Sequence, residues 1–134
     1  MKRGALPTSG NQLVDWHFQQ VIYFLNNKVD AILVVEKSLI DPESHEAHSG
    51  IIIFSAKGRA IIYLSNAKRR HPRKSKMAKT LTHEVIHGLS DDCVKEPSVL
   101  RLENILWKLF TKEQKKMIIS YLPKHKVKRG PETA

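Results

Sequence analysis

The pentapeptide His83-Glu84-Val85-Ile86-His87 constrains the fold of this chain more than any other segment. Side chains four positions apart share one face of an α-helix, so a helix here brings both imidazoles to one metal ion. Glu84 then lies beside the two rings, where a carboxylate can take a proton from a metal-bound water. Zinc suits two imidazole ligands, and it can lower the pKa of a bound water to about 7. The pattern predicts a helix that carries a zinc site and a general base, a combination typical of hydrolases.

The neighbouring residues favour the same helix. Residues 75–89 contain no proline, and we interpret their only glycine, Gly88, as a helix stop. At about 100° per residue, apolar side chains gather on one side and His83, Glu84 and His87 lie on the other. The apolar side comprises Ala78, Leu81, Val85, Ile86 and Leu89. Because the chain holds seven histidines, a polar helix face without a metal remains the alternative.

Size and composition favour one globular domain. A chain of 134 residues with 41% hydrophobic residues is too apolar to be disordered and long enough for one modest core. We expect a flexible N-terminus over residues 1–10, a single domain over 11–122 and a basic flexible tail over 123–134. No apolar run reaches the roughly 20 residues of a membrane span. The N-terminus also lacks the apolar run of a signal peptide, and the single cysteine, Cys93, excludes an internal disulfide, so a cytoplasmic location is expected.

Periodicity along the chain predicts the order helix, strand, hairpin, helix, helix, helix. The fold class expected from this order is α+β, with a small sheet of at least three strands packed with the first helix and the HExxH helix. Asn11 is a predicted N-cap, Gly58 a hairpin turn, and Thr111 with Gln114 a capping box. The predicted elements are a helix over 12–27, a strand over 31–35, hairpin strands over 51–55 and 60–65, the HExxH helix over 75–89, and two C-terminal helices over 97–110 and 111–122. We expect strand 60–65 to border the cleft and to pair with an extended peptide.

A catalytic zinc site usually has three protein ligands, and Glu103 is the favoured third one. In the predicted helix 97–110, Glu103 lies on the apolar stripe between Val99 and Leu106. A carboxylate there is costly unless a charge or a metal compensates it. The alternative is a glutamate at the edge of the stripe that reaches water or pairs with Arg101 or Lys108.

Other third ligands stay open. Glu96, Asp91 and Asp92 lie in the connection after the HExxH helix, which we expect to be too short to fold back onto the metal. His125 is a more remote candidate. Cys93 is less favoured, because thiolates dominate structural rather than hydrolytic zinc sites.

The decapeptide TLTHEVIHGL at residues 80–89, preceded by a hairpin and followed by a helix with Glu103, resembles the minimal zincins of gluzincin type. The ImmA/IrrE-like metallopeptidases and small HExxH proteins often encoded by bacteriophages share this layout, so a phage origin would place the chain in the host cytoplasm. The likeness covers about residues 30–110, but only the decapeptide is specific. It implies zinc held by His83, His87 and Glu103, with Glu84 as the catalytic base for hydrolysis of a peptide bond in a protein or peptide substrate.

The chain also departs from related families. It has neither the third histidine that follows the metzincin motif nor the later one of SprT-like proteases, and the spacing to Glu103 is shorter than in typical ImmA/IrrE proteins. Those proteins often cleave a DNA-binding regulator, so a DNA-bound protein is a partner suggested by analogy alone.

The net charge of +10 favours polyanionic partners such as nucleic acid. The most interesting basic run precedes the HExxH helix, although a solvated loop is an equally good interpretation. Its cations, the candidate polyanion-binding residues, are Lys68, Arg69, Arg70, Arg73, Lys74 and Lys76. Two other functions therefore stay open: a nucleic-acid-binding protein with structural or no zinc, and a non-catalytic phage assembly protein on a zincin scaffold.

Hydrolysis also requires a donor for the developing oxyanion. Tyr63, His71 and Arg70 are the candidates, and the sequence does not choose among them. It does not define the oligomeric state either.

Overall fold

The described part of the chain contains four helices, a mixed four-stranded β-sheet and a two-stranded β-sheet. The computed structural model describes residues 6–35, 39–40, 47–55, 57–66, 74–90, 94–123 and 126–127. The expected α+β class and the order of the main elements are confirmed. In chain order the elements are α1 (Gln12–Asn27), β1 (Val29–Val35), β2 (Leu39–Ile40), β3 (Ala47–His48), β4 (Gly50–Phe54), β5 (Ala60–Ser65), α2 (Lys74–Leu89), α3 (Glu96–Leu109), α4 (Lys112–Ile119) and β6 (Lys126–Val127). None of the described helices is both long and apolar enough to cross a lipid bilayer.

The larger sheet has the strand order β4-β5-β1-β6. β4 and β5 form the predicted hairpin, and Gly58 adopts a φ of 74° in its turn. β5 is also parallel to β1, with Ile62 opposite Ile32. Strand 60–65 is therefore enclosed on both sides, and the prediction that it pairs with a peptide is wrong. Among the described strands, β4 forms the edge on the side of the hairpin.

Two short pairings were not predicted. The segment expected to be a loop contains β2 and β3, in which Leu39 pairs with His48. In the tail expected to be flexible, β6 pairs in parallel with β1. Backbone hydrogen bonds to a neighbouring strand form these elements, and a strand of two residues is too short to show an alternating pattern in the sequence.

The core lies between the helices and one face of the sheet. Ile62 and Leu64 on β5 are fully buried, whereas the alternating residues Ile61 and Tyr63 are partly exposed. Helices α1 and α2 supply much of the opposing layer. Its fully buried side chains include Phe18, Leu81 and Val85. This packing fixes α2, the helix that carries the motif, against the sheet.

Gly88 has a role other than the predicted helix stop. α2 continues through Leu89, and the ring of Phe24 on α1 lies directly against Gly88. A Cβ atom at this position would stand 2.3 Å from Cζ of Phe24. Gly88 therefore permits the close approach of α1 and α2.

We expect Gly88→Ala to destabilise the fold. Helix propensity alone would favour alanine by about 1 kcal/mol, but inserting a methyl group into a packed contact costs about 1–3 kcal/mol. Urea unfolding should therefore show a lower free energy of unfolding, and Phe24→Leu should remove part of the loss by making room. An increase in stability would show that Phe24 moves aside freely.

A buried amide joins α4 to the start of α1. Gln114 is fully buried, and its Nε2 atom donates to the Pro7 carbonyl at 3.1 Å and to Asp15 Oδ1 at 2.9 Å. Its backbone and side chain also complete the predicted capping box with Thr111. The backbone N–H and the hydroxyl of Ser9 each donate to Asp15 at 2.8 Å. Burial acts to raise the pKa of Asp15, but the hydrogen bonds from Ser9 and Gln114 outweigh it, so the pKa is lowered.

The hydrogen bonds to Asp15 should make the free energy of unfolding depend on pH in the acidic range. A carboxyl group with a lowered pKa in the folded state stabilises the fold above its unfolded pKa, here 3.8, and loses that contribution as the pH falls through the lower folded value. Acid titration of the unfolding free energy should therefore show a steeper loss below about pH 4 for the wild type than for Asp15→Asn. Glu113→Gln, at an exposed position of α4, is the matched control. Parallel curves for wild type and Asp15→Asn would contradict the assignment.

Candidate metal centre

Four polar side chains of α2 line a cavity of about 450 Å³. They are Thr80 and the three motif residues His83, Glu84 and His87, which the helical spacing placed on one face. The apolar side chains of the other face enter the core, except for Leu89, which is 40% exposed. The remaining walls come from β4 with the residue before it and from α3. The full lining is Ser49, Gly50, Ile51, Ile52, Thr80, His83, Glu84, His87, Glu96, Leu100 and Glu103.

The two imidazoles converge on the carboxylate of Glu96. Nε2 of His83 lies 2.5 Å from Glu96 Oε1, and Nε2 of His87 lies 3.1 Å from Glu96 Oε2. The ring centroids are 4.9 Å apart. One ligand atom from each residue lies within 4.8 Å of the others, so these three residues can hold a metal ion.

Glu96 reaches the rings because α3 begins at this residue. The connection after α2 is long enough to return the chain to the motif, so the prediction that it is too short does not hold for Glu96. Pro97 occupies the first turn of α3, as its fixed φ favours. The positive end of the α3 dipole also favours a carboxylate at this position. Asp91, Asp92, Cys93 and His125, the other candidate ligands, lie outside the described residues.

Glu103 touches the site on a different side. Its side chain is buried, as the apolar stripe predicted. However, its Oε1 atom lies 2.6 Å from Nδ1 of His83, whereas the converging ring atoms are Nε2. Its Oε2 atom lies 3.7 Å from Nζ of Lys79. Glu103 is thus not part of the His83–His87–Glu96 group, and its burial is compensated by His83 and Lys79 rather than by Arg101 or Lys108.

The electrostatics of the cavity favour a cation. Burial acts to lower the pKa of His83, but its hydrogen bond with Glu103 and the negative charges of Glu84, Glu96 and Glu103 outweigh it, so the pKa is raised. Three carboxylates line one cavity, which makes a positive charge favourable at their centre.

The donor set fits zinc. Two imidazole nitrogens and one carboxylate oxygen form a catalytic zinc set. Bonds of about 2.1 Å in tetrahedral geometry place ligand atoms about 3.4 Å apart. The three residues already bring one ligand atom each within 4.8 Å of the others, and the His83–Glu96 and His87–Glu96 contacts of 2.5 and 3.1 Å would widen to reach that spacing.

The side chain of Glu84 lies between its own helix, α2, and strand β4 at the edge of the sheet. Its side chain is only 6% exposed. A Cβ atom on Gly50 would stand 3.1 Å from Glu84 Oε2 and 3.0 Å from Cγ2 of Thr80. Gly50 therefore lets β4 lie close to the carboxylate.

Three of the remaining sequence candidates, Tyr63, Lys74 and Lys76, lie among the described residues, and none of them lines the cavity. Tyr63 alternates along β5 with core residues. Ser49 and Thr80 are the hydroxyl-bearing residues among the described lining. Lys74 and Lys76 are exposed in the first turn of α2. The other candidates, Lys68, Arg69, Arg70, His71 and Arg73, lie outside the described residues.

No protein-family model matches this chain, and searches of curated proteins and of solved structures found no significant match. The interpretation of the centre therefore depends on its geometry and on the resemblance of its motif.

Removal of the Glu96 carboxylate should weaken zinc binding by more than about 100-fold. This loss should be larger than the one caused by removing a residue that only hydrogen-bonds to a metal ligand. We expect the wild type to bind one equivalent of zinc, measured by metal analysis and by competition with a chromogenic chelator. Glu96→Ala and His83→Ala should both lose tight binding, whereas Glu113→Ala at an exposed site should retain it. Wild-type affinity in Glu96→Ala would show that another residue completes the site.

Proposed function

We propose that this protein is a zinc-dependent metallopeptidase of minimal gluzincin type. The observation that carries the proposal is the convergence of both Nε2 atoms on Glu96, with Glu84 on the same cavity wall. His83, His87 and Glu96 would hold the zinc. When bound there, zinc supplies a Lewis acid for the scissile carbonyl and lowers the pKa of water.

Glu84 is the general base in this proposal. Its carboxylate is buried at the cavity wall beside the two imidazoles, so it can remove a proton from the attacking water. The same carboxyl group can then donate the proton to the leaving amine. Glu84 lies against Gly50 on β4, which brings the base close to the sheet edge.

The position of β4 supports a peptide substrate. An extended chain can pair with the outer edge of β4, the last strand of the described sheet on this side. Residues 49–52 line the cavity, so such a chain would pass the metal group. Ile51, Ile52 and Leu100 supply apolar walls for its side chains.

Glu84→Gln should separate metal binding from turnover. The amide cannot accept the water proton, so cleavage of a fluorogenic peptide library should fall by about 100-fold or more, while zinc binding stays at one equivalent. Glu113→Gln serves as the exposed control and should cleave as the wild type does. Unchanged cleavage by Glu84→Gln would refute the general-base role.

The net charge of +10 supports a second candidate function, which is binding to nucleic acid or to a DNA-bound protein. A zinc-loaded wild type that cleaves no peptide but shifts DNA in a salt-dependent, chelator-insensitive manner would favour it. A stable oligomer with neither activity would favour an assembly protein.

A further inference from the structure

We propose that Glu103 and Lys79 form a positioning pair that fixes the ring of His83 for metal binding. The inference rests on the metal site of the proposed function. Nδ1 of His83 lies 2.6 Å from Glu103 Oε1, and Nε2 of the same ring faces Glu96. An imidazole that donates its Nδ1–H to a carboxylate has its tautomer and orientation fixed, with the Nε2 lone pair available to a metal.

Lys79 holds Glu103 from the opposite side. It lies on α2, one helical turn before His83, and its Nζ atom is 3.7 Å from Glu103 Oε2. The same ammonium group donates to Oδ1 of Asn104 at 2.6 Å. Lys79 therefore joins α2 to two consecutive residues of α3. This double attachment restricts the rotation of the Glu103 carboxylate relative to His83.

The burial of Glu103 explains why the pair is needed. Its side chain is 8% exposed, whereas that of Lys79 is 33% exposed. A buried carboxylate is costly without compensating donors, and His83 and Lys79 each contact one of its oxygens. Glu103 meets the Nδ1 side of the His83 ring, whereas the group that can hold a metal is formed with Glu96 on the Nε2 side. The geometry therefore makes it a positioning residue for a ligand rather than a ligand.

Two substitutions of Glu103 distinguish these roles. At pH 8, above the ordinary imidazole pKa of about 6.5, we expect Glu103→Ala to weaken zinc and cobalt binding by about 10–100-fold at unchanged 1:1 stoichiometry. Glu103→Gln should bind within a few-fold of the wild type, because its amide oxygen still accepts the Nδ1–H bond. The visible absorption of the cobalt form should keep its intensity in both variants, since the ligand set is unchanged.

Two results would overturn the positioning role. If both variants lose binding as severely as Glu96→Ala and change the cobalt spectrum, Glu103 is a direct ligand. If both bind as tightly as the wild type, Glu103 does not position His83. Because Glu103→Gln preserves the side-chain volume, the comparison remains informative even if Glu103→Ala folds poorly.

The contribution of Lys79 is tested by stability in two backgrounds. Lys79→Met should lower the melting temperature of the metal-free wild type by about 4 °C, but much less in the Glu103→Gln background, where no buried charge needs a partner. Lys79→Arg should restore part of the loss. Lys76→Met, at an exposed position of the same helix, is the matched control and should have no effect in either background. Equal losses from Lys79→Met in both backgrounds would show that the two side chains are not coupled.

These measurements use metal affinity and stability, not turnover. If the protein cleaves no peptide but the Glu103 and Lys79 variants change metal affinity and stability as expected, only the proposed peptidase activity is rejected. If the protein cleaves peptides but these variants have no such effect, only the positioning pair is rejected.

Discussion

The two-sided environment of α2 is the constraint on which the rest of the structure depends. Leu81 and Val85 on one side of this helix are fully buried in the core, which fixes its rotation and its distance from the sheet. Because the helix cannot rotate without exposing these side chains, the opposite side is fixed in the cavity. His83 and His87 are thus positioned by apolar contacts on the other side of their own helix. Gly88 contributes at the end of the helix, where it allows α1 to pack closely.

Charge balance is the second organising feature of the centre. Glu84, Glu96 and Glu103 line the same cavity as the two imidazoles, an arrangement that favours positive charge nearby. Lys79 balances part of that charge from the outer side of Glu103. Glu96 and Glu103 contact different nitrogens of His83, and the two carboxylates therefore have different roles. The carboxylate on the Nε2 side belongs to the group that can hold a metal, and the carboxylate on the Nδ1 side orients the ring.

The proposed function follows from the way that α2, α3 and β4 meet. α2 supplies two imidazoles and the base, while the first residue of α3 supplies a carboxylate. β4 supplies a strand edge that passes the same cavity. Hydrolysis of an extended peptide needs these three features within one cavity, because the substrate must be held while its carbonyl is attacked.

Local spacing in the sequence determined the elements that carry the chemistry. The cap at Asn11, the capping box at Thr111 and the period of α2 each depend on residues within a few positions of one another, so they could be predicted. The burial of Glu103 could also be predicted from its apolar neighbours. Only the tertiary structure decided that Glu96 rather than Glu103 meets the Nε2 atoms, that β4 rather than β5 is the edge strand, and that Gly88 is a contact point. These outcomes depend on distances of a few ångströms between separate elements, and such distances are fixed by packing rather than by sequence periodicity.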